Sequence, residues 1–290
     1  MRHSERAAII RQCNVPDQAD KGAPLLPLPA ERIMPTMEID LELFQFRFSH
    51  YNEKVRWALD FKGLRHTRTD LLPGPHAVIL KKLTGQHQTP VLRMNNQYVH
   101  DSAWIIERLE LLFKDAPSLL PSDAALRDRS RELARHFDLV LGPNVRICAF
   151  VAMLDEPDYI ARLFSTGKPW LTRTAYRAVM PLMKGRIRKS NGITGKAAIA
   201  EAERLVAANM ESIVKLTFKN RYLAGDSFSV ADLTAAALIA PLVDPPHPDM
   251  KIPEPMPARL AEINDKWRRH PAGRWALEMY ERHRPIVSRS

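Results

Sequence analysis

The chain has only two cysteines, Cys13 and Cys148, among its 290 residues. Cys13 lies in a stretch without regular pattern, so we expect no disulfide framework and a reducing, cytoplasmic location. The Cys/His spacings of zinc sites and the Gly-rich loops that bind phosphate are also missing, so no metal is expected. The longest strongly apolar stretch, from about Leu233 to Val243, is shorter than the roughly 20 residues that span a bilayer, so no membrane span is expected.

Acidic residues are fewer than basic ones, 33 against 43, and the net charge is +10. Charge alone favours anionic partners, but no binding motif accompanies it, so we expect no nucleic-acid partner. The segment from Tyr159 to Ala200 contains no acidic residue at all. It is either a surface that faces anions or lipids, or a solvated helical face that steers small anions inward. Its basic residues are Arg162, Lys168, Arg173, Arg177, Lys184, Arg186, Arg188, Lys189 and Lys196.

The chain divides into four stretches of different composition. Residues 1–36 contain five prolines and no persistent apolar period, so they are predicted to be a disordered extension. Met37 stands just before the first strand pattern and is a candidate translation start. Residues 37–114 alternate strand and helix patterns, residues 115–122 form a proline-containing linker, and residues 123–290 carry helical patterns only.

Strand and helix patterns between Ile39 and Phe113 follow the order β-α-β-α-β-β-α. This order predicts an α/β domain whose mixed sheet has helices on both faces, followed by an all-α domain. In the second half we predict a long helix bent at Gly142–Pro143, shorter helices separated at Gly167–Pro169 and at Pro181, an amphipathic helix over about 195–219, a buried helix over 226–243, and one or two closing helices over 258–283.

Four short motifs lie in this arrangement, and the first places Ser49-His50-Tyr51-Asn52 between strand one and helix one. The start of a helix offers free N–H groups and a partial positive charge, which stabilise an anion such as a thiolate. Ser49 either caps the helix or donates a hydrogen bond to such an anion. His50 and Tyr51 are rival donors.

The second motif, Gln86 to Leu92, opens a strand with Pro90, which cannot donate to the ladder. A trans proline on an edge strand is the alternative interpretation. The third motif, Asp101-Ser102, begins a helix directly after a hairpin. It is either a carboxylate-binding helix start or an ordinary N-cap.

The fourth motif belongs to the buried helix of the second half. Ser229 and Asp232 have the spacing of a capping box, and Phe228 and Leu233 occupy the two positions of a hydrophobic staple. Its expected role is structural.

In this order, the four motifs and the helical second half resemble the cytosolic glutathione S-transferase superfamily from Ile39 to about Arg284. The resemblance implies a thioredoxin-like, glutathione-binding domain over residues 37–114, a helical domain over residues 123–290, and a homodimer. It implies an enzyme that uses glutathione as co-substrate and directs its thiolate at a small hydrophobic electrophile. A non-catalytic binding or regulatory protein with this fold is the alternative.

The resemblance assigns Ser49 the hydrogen bond to the glutathione sulfur, with His50, Tyr51 and Asn52 as further contributors. Neither Ser49 nor Asn52 is a cysteine, which excludes glutaredoxin-like dithiol chemistry. The candidates for the lining of the electrophile cleft are Arg135, His136, Arg146 and Phe150.

The resemblance also assigns the residues that hold the tripeptide. Pro90 is expected to be cis, with the backbone of Thr89 pairing with glutathione between Gln88 and Val91. Many members have lysine where Gln88 stands, and Lys81 or Lys82 is the expected substitute. Asp101 and Ser102 are expected to bind the ammonium and the α-carboxylate of the γ-glutamyl end.

Overall fold

The computed structural model describes residues 39–287, so the extension predicted over residues 1–36 lies outside the described residues. Its first part is a four-stranded sheet with the order β2-β1-β3-β4. The strands are β1 (Leu41–Gln45), β2 (Thr67–Asp70), β3 (Val91–Met94) and β4 (Gln97–His100). β1 pairs parallel with β2 and antiparallel with β3, and β3 pairs antiparallel with β4, which confirms a mixed sheet.

The sheet side chains alternate between two separate cores, because successive residues of a strand point to opposite faces. Leu43 and Leu92 pack in a larger core with residues of α1 (His50–Phe61) and α3 (Ser102–Leu112). Phe44 and Val91 pack in a smaller core with Leu80 of α2 (His76–Thr84). Helices therefore cover both faces of the sheet, as predicted.

The second part is helical. Its helices are α4 (Ala124–His136), α5 (Gly142–Met153), α6 (Pro157–Phe164), α7 (Trp170–Ser190), α8 (Lys196–Thr217), α9 (Val230–Val243), α10 (Ala258–Arg269) and α11 (Pro271–His283). A π-helical turn, Phe137–Leu141, joins α4 to α5, and a 3-10 turn, Pro248–Met250, lies between α9 and α10. The sequence shows no convincing strand in this half, and none occurs among its described residues.

The irregularity expected at Gly142–Pro143 begins earlier, as the π-helical turn. Pro143 lies in the first turn of α5 and has no N–H to donate to the preceding turn. Close by, the side chain of Asn144 donates to the carbonyl of Val140 at 2.6 Å.

The break predicted at Pro181 is wrong, because α7 runs without interruption from Trp170 to Ser190. A proline inside a helix removes one backbone hydrogen bond, and contacts on both sides of Pro181 hold the helix here. Met180 is buried, and Tyr176 and Ile187 pack against the main core. The separation expected at Gly167–Pro169 is confirmed, with α6 ending at Phe164.

Helix α9 is the buried centre of the helical part, and its capping box is formed. The carboxylate of Asp232 accepts the backbone N–H of Ser229 at 3.0 Å and that of Leu223 at 2.8 Å. Among the described residues, one continuous helical stretch, Ala124–Met153, is long and apolar enough to cross a membrane. More than half of its apolar window is buried inside the protein, where it packs against α8 and α9, as a core helix does.

Helix α1 carries buried charges that bind the C-terminal end of the chain. Arg284 donates to Glu53 at 2.7 Å and to Asp60 at 2.7 Å, and Arg56 also donates to Glu53 at 2.7 Å. Burial alone would raise the pKa of Glu53, but Arg284 and Arg56 together lower it to about 2.

The same charges reach strand β2 and the 3-10 turn. Arg68 donates to Asp60 at 3.0 Å and to Asp249 at 2.7 Å, and Asp249 also accepts from Arg284 at 2.7 Å. Each cation of this group thus contacts at least one carboxylate. We call the group the core ion network, and its members are Glu53, Arg56, Asp60, Arg68, Asp249 and Arg284.

Candidate functional site

Three chain segments leave the sheet side by side at one edge. Phe44 lies opposite Val91 in the ladder, and Val91 lies opposite His100 on its other side. Neighbouring strands are about 4.8 Å apart, so the segments after Phe44, before Val91 and after His100 are adjacent. These segments carry the residues singled out in the sequence: Ser49, His50, Tyr51 and Asn52; Gln88, Thr89 and Pro90; Asp101 and Ser102.

Ser49 is the N-cap residue of α1 and has extended backbone angles. Its carbonyl accepts the N–H of Glu53 at 2.9 Å, whereas its hydroxyl makes no capping hydrogen bond to the helix. Ser49 is partly exposed. Ser49 therefore does not cap the helix with its side chain, and its hydroxyl stays available to a ligand.

Tyr51 is engaged inside the protein. Its hydroxyl donates to the backbone carbonyl of Asp138, in the π-helical turn, at 2.6 Å. Burial raises the pKa of Tyr51, and the carboxylate of Asp138 adds to the rise. Gly142 lies so close that an added Cβ would be 2.4 Å from the Tyr51 hydroxyl oxygen. Tyr51 therefore joins the sheet part to the helical part, with its only hydroxyl proton already used.

His50 and Asn52 are buried beside Ser49, and each has one polar atom, Nε2 and Oδ1, without a hydrogen-bond partner among the described residues. Burial, followed by the positive charge of Arg146, lowers the pKa of His50 to about 3, so its ring is neutral at physiological pH. Asn52 Nδ2 donates to the Thr89 hydroxyl at 3.1 Å. This contact ties the Ser49 loop to the segment before β3.

The peptide bond between Thr89 and Pro90 is cis, as expected. The backbone N–H and carbonyl of Thr89 make no hydrogen bond within the described chain. By contrast, Gln88 is exposed and its backbone is bound by the side chain of Gln86, and Val91 is buried in the ladder. Thr89 is therefore the member of this segment whose backbone is open to a ligand.

Asp101 behaves as an N-cap, which is the simpler of its two interpretations. Its Oδ1 accepts the N–H groups of Ala103 at 2.8 Å and Trp104 at 3.3 Å. Its Oδ2 takes no part in this capping. After burial and Asp138, the charge of Asp101 adds to the rise in the pKa of Tyr51, which places Asp101 within electrostatic reach of the Ser49 loop.

Ser102 is buried at the first position of α3. Neither its hydroxyl nor its N–H makes a hydrogen bond within the part of the chain that the structure describes. A helix start with open N–H groups binds carboxylates.

The candidates for the lining of the electrophile cleft lie in different parts of the structure. Arg146 lies near the Ser49 loop, since its charge lowers the pKa of His50, and its buried Nε has no partner among the described residues. His136 instead contacts Asn209 of α8 at 2.9 Å, and Arg135 is exposed on α4. Phe150 is half-buried against the main core. Lys81 and Lys82 are exposed in the last turn of α2.

Helices α6 and α7 border this site through contacts that no local sequence motif predicts. Phe48, next to Ser49, stacks on Phe164 at the end of α6, with ring centroids 5.0 Å apart. Lys168 donates to the carbonyl of Asp70 at 2.8 Å, and Tyr176 of α7 donates to the carbonyl of Pro73. These residues are far apart in the chain, and only folding brings them together. No group of His, Cys, Asp and Glu that could hold a metal ion occurs among residues 39–287.

Residues 43–117 match the family model described as "Glutathione S-transferase, N-terminal domain". A probable glutathione S-transferase of Nicotiana tabacum is 29% identical over 107 residues, which cover 37% of this chain and 46% of the relative. A probable glutathione S-transferase of Solanum tuberosum is 27% identical over 100 residues, covering 34% and 46%. The chain thus spans about half the length of the curated relatives it matches.

Three solved structures show the same fold over most of their length. The beta-etherase LigF from Sphingobium sp. strain SYK-6 has a TM-score of 0.56 and 21% identity, covering 82% of this chain and 98% of that one. A possible glutathione S-transferase from Rhodopseudomonas palustris has 0.55 and 13%, covering 86% and 96%. A glutathione S-transferase from Methylobacillus flagellatus KT, with glutathione bound, has 0.50 and 15%, covering 82% and 98%.

Proposed function

We propose that the chain is a member of the cytosolic glutathione S-transferase superfamily, that it binds glutathione, and that it directs the glutathione thiolate at a small hydrophobic electrophile. In this proposal, residues 37–114 hold the tripeptide and residues 123–290 supply the electrophile cleft, with residues 115–122 as the linker. One observation carries the proposal. At a single edge of the sheet, Ser49, Thr89 and Ser102 all present polar groups that have no hydrogen-bond partner among residues 39–287.

The unbound groups suit the parts of the tripeptide. The N–H and carbonyl of Thr89 pair with a peptide group, and the N–H and hydroxyl of Ser102 bind the α-carboxylate at the start of α3. Asp101 Oδ2 accepts from the ammonium. Gln88 and Val91 flank the peptide, and since Gln88 carries no charge, Lys81 or Lys82 is the candidate partner for the glycine carboxylate.

Glutathione supplies the nucleophilic sulfur. The hydroxyl of Ser49 donates a hydrogen bond to the sulfur anion, and the partial positive charge at the start of α1 stabilises it further. The thiol proton passes to solvent, a sulfur–carbon bond forms, and the leaving group departs with the electron pair of its broken bond. The neutral ring of His50 has a single N–H, is buried and has the backbone of Gly142 as its hydrogen-bond partner, and the hydroxyl proton of Tyr51 is donated to Asp138. Ser49 is therefore the donor we assign to the sulfur. Thiolytic ether cleavage and dehalogenation start from this same thiolate.

Two matched variants test the assignment of the donor. We expect Ser49→Ala to lower kcat/KM for glutathione and 1-chloro-2,4-dinitrobenzene by about 100-fold, the usual effect of losing one preorganised donor. Tyr51→Phe removes the other hydroxyl of the loop and should keep the rate within about threefold, because that hydroxyl serves Asp138. Full activity in Ser49→Ala would contradict the assignment.

A thermal-shift titration with glutathione separates the enzyme from its alternative. Stabilisation by millimolar glutathione together with turnover supports the proposal. Stabilisation without turnover of any electrophile tried favours a non-catalytic binding or regulatory protein. The absence of any glutathione-dependent shift, in a protein that melts cooperatively, removes glutathione binding altogether.

We further propose that the protein is a cytoplasmic homodimer. A groove of about 950 Å³ lies against β4, α3 and α4, with Trp104 and Leu111 exposed along it. Glu107 and Arg131 form a bidentate pair in the same groove at 2.7 Å. Exposed aromatic and apolar side chains around a polar pair are typical of subunit interfaces. Light scattering of the wild type against Trp104→Glu, which places a charge in the groove, measures the effect on the oligomeric state.

A further inference from the structure

A second cavity, of about 530 Å³, opens where three distant segments meet. The segments are the loop before α1, the connection between α6 and α7, and the chain between α9 and α10. Five basic side chains and one acidic side chain, Glu254, line it. We call the five the basic pocket, and they are Arg47, Arg162, Lys168, Arg173 and Lys251.

Two of these cations contact backbone carbonyls instead of carboxylates. Arg162 donates to the carbonyls of Glu254 and Pro255. Lys168 donates to the carbonyl of Asp70 at 2.8 Å. A carbonyl positions a cation but does not neutralise its charge, so both positive charges remain in the cavity.

The other three cations also have few carboxylate partners. Arg173 and Lys251 have no ion pair and no side-chain hydrogen bond within the described residues. Arg47 has one, a long pair with Asp70 at 3.8 Å. Five positive charges held together with Glu254 as the one carboxylate of the lining repel one another, and an anion bound between them would relieve this repulsion.

Helix α7 adds to the positive potential, because it begins at the cavity. Pro169 is its N-cap residue and no side chain caps its first turn. The helix has 21 residues, and Trp170, its first residue, lines the cavity and is 67% exposed. Open N–H groups and a helix start favour an anion at this position, and the Trp170 ring offers an aromatic wall beside it.

The pocket adjoins the sulfur site. Arg47 is two residues before Ser49, and Phe48 between them stacks on Phe164. Gly167, with φ of +75°, faces Arg47 so closely that an added Cβ would lie 3.1 Å from a guanidinium nitrogen. Because Gly167 has no Cβ, the α6–α7 connection can lie against the loop that carries Ser49.

We infer that the basic pocket binds a carboxylate, or a similar small oxyanion, on the electrophilic substrate while the reacting carbon lies at Ser49. This inference rests on the proposed function and names the substrate class, an electrophile with an anionic tail. Glutathione's own carboxylates are assigned elsewhere, to the start of α3 and the end of α2.

The test compares two electrophiles that differ in charge, 1-chloro-2,4-dinitrobenzene and 4-chloro-3,5-dinitrobenzoate, in two double variants. Arg173→Gln/Lys251→Gln removes two charges from the pocket without removing a contact that holds the fold. Arg186→Gln/Lys189→Gln removes two charges from α7 outside the pocket and is the matched control. Measurements at 0.15 M salt limit long-range steering.

We expect the pocket variant to lose about tenfold to a hundredfold in kcat/KM for the benzoate, the usual effect of hydrogen bonds to a charged group. Its kcat/KM for the neutral electrophile and its KM for glutathione should stay within about twofold of wild type. The control variant should change neither electrophile by more than about twofold. Equal losses in both variants would mean unspecific steering, and a rise only in the KM for glutathione would assign the pocket to the tripeptide. Either result overturns the inference.

Calorimetric binding of unreactive 3,5-dinitrobenzoate, without glutathione, separates this inference from the proposed function. Binding to wild type and to the control variant, but at least tenfold weaker binding to the pocket variant, supports the pocket even in a protein that turns over no electrophile. Equal binding to all three proteins, or no binding to wild type at millimolar concentration, overturns it while leaving glutathione chemistry at Ser49 intact.

Discussion

The core ion network and the basic pocket are two charged regions built on opposite principles. In the network, three arginines contact three carboxylates at 2.7 to 3.0 Å, mostly away from solvent. In the pocket, one of the five cations has an ion pair within the described residues, Arg47 with Asp70 at 3.8 Å, and Glu254 is the one acidic side chain of the lining. A network whose charges are all paired needs nothing from outside and holds the chain end against α1. A cavity with more cations than carboxylates favours an anion from outside.

The largest expected effect comes from breaking the network. We expect Glu53→Gln to lower the free energy of unfolding by about 3–5 kcal/mol, because Arg56 and Arg284 are then left buried without their shared carboxylate. Urea denaturation measures the loss. Asp265→Asn, in an exposed pair with Arg269 on α10, is the control and should change stability by less than about 0.5 kcal/mol. A loss below about 1 kcal/mol in Glu53→Gln would mean that the network is not what holds these elements.

Acid should weaken the network in a defined range of pH. The pKa of Glu53 is lowered in the folded state, to about 2 from an ordinary 4.5, so its stabilisation is complete above pH 4.5 and is lost as the pH falls towards 2. From pH 5 to pH 3 the difference in unfolding free energy between wild type and Glu53→Gln should shrink by about 2 kcal/mol. A difference that stays constant over this range would contradict the lowered pKa.

Alanine substitutions at two glycines compare the packed interior with the exposed part of α7. Gly142→Ala places a methyl group against the Tyr51 hydroxyl and should cost about 1–3 kcal/mol of stability, through overpacking and a displaced hydrogen bond to Asp138. Gly185→Ala meets nothing within 4 Å and replaces a glycine inside a helix, so it should leave stability unchanged or raise it by up to about 1 kcal/mol. Thermal denaturation of the two variants decides whether the close packing lies where we describe it.

The smallest expected effect is that of the pocket variant on the stability of the protein. Arg173→Gln/Lys251→Gln removes repelling charges and no side-chain hydrogen bond or ion pair within the described residues, so the free energy of unfolding should rise slightly, by about 0.5 kcal/mol or less. Added sulfate should stabilise wild type more than this variant. A clear loss of stability would place the pocket cations among the charges that hold the fold.

Local sequence patterns predicted much of the fold. Alternation over Ile39–Phe46, the Asp101–Ser102 helix start and the Ser229–Asp232 capping box are each set by neighbouring residues, and the helices and strands follow them. The extended helix through Pro181 was not predicted, because contacts with the core override a local breaker there. The π-helical turn also escaped prediction, since it depends on packing around Pro143 as a whole.

The candidate site was predictable in part. Ser49, Thr89 and Ser102 stand next to motifs with fixed spacing, so their arrival at one sheet edge follows from the order of the strands. Tyr51 donates to the carbonyl of Asp138, and Arg47 and Lys251 line the same cavity. No local sequence pattern connects the two members of either pair. Such contacts depend on how the helical part packs, and the sequence carries no short-range sign of them.

We propose above all that the Ser49 hydroxyl stabilises the thiolate of bound glutathione. Ultraviolet absorbance of the thiolate, recorded against pH in the complex of the protein with glutathione, tests it without any electrophile. We expect the thiol pKa of bound glutathione to lie at least about one unit below the ordinary thiol value of about 8.5 in wild type and in Tyr51→Phe, and to return towards 8.5 in Ser49→Ala. An ordinary thiol pKa in the wild-type complex, or a lowered one that survives in Ser49→Ala, would contradict the claim.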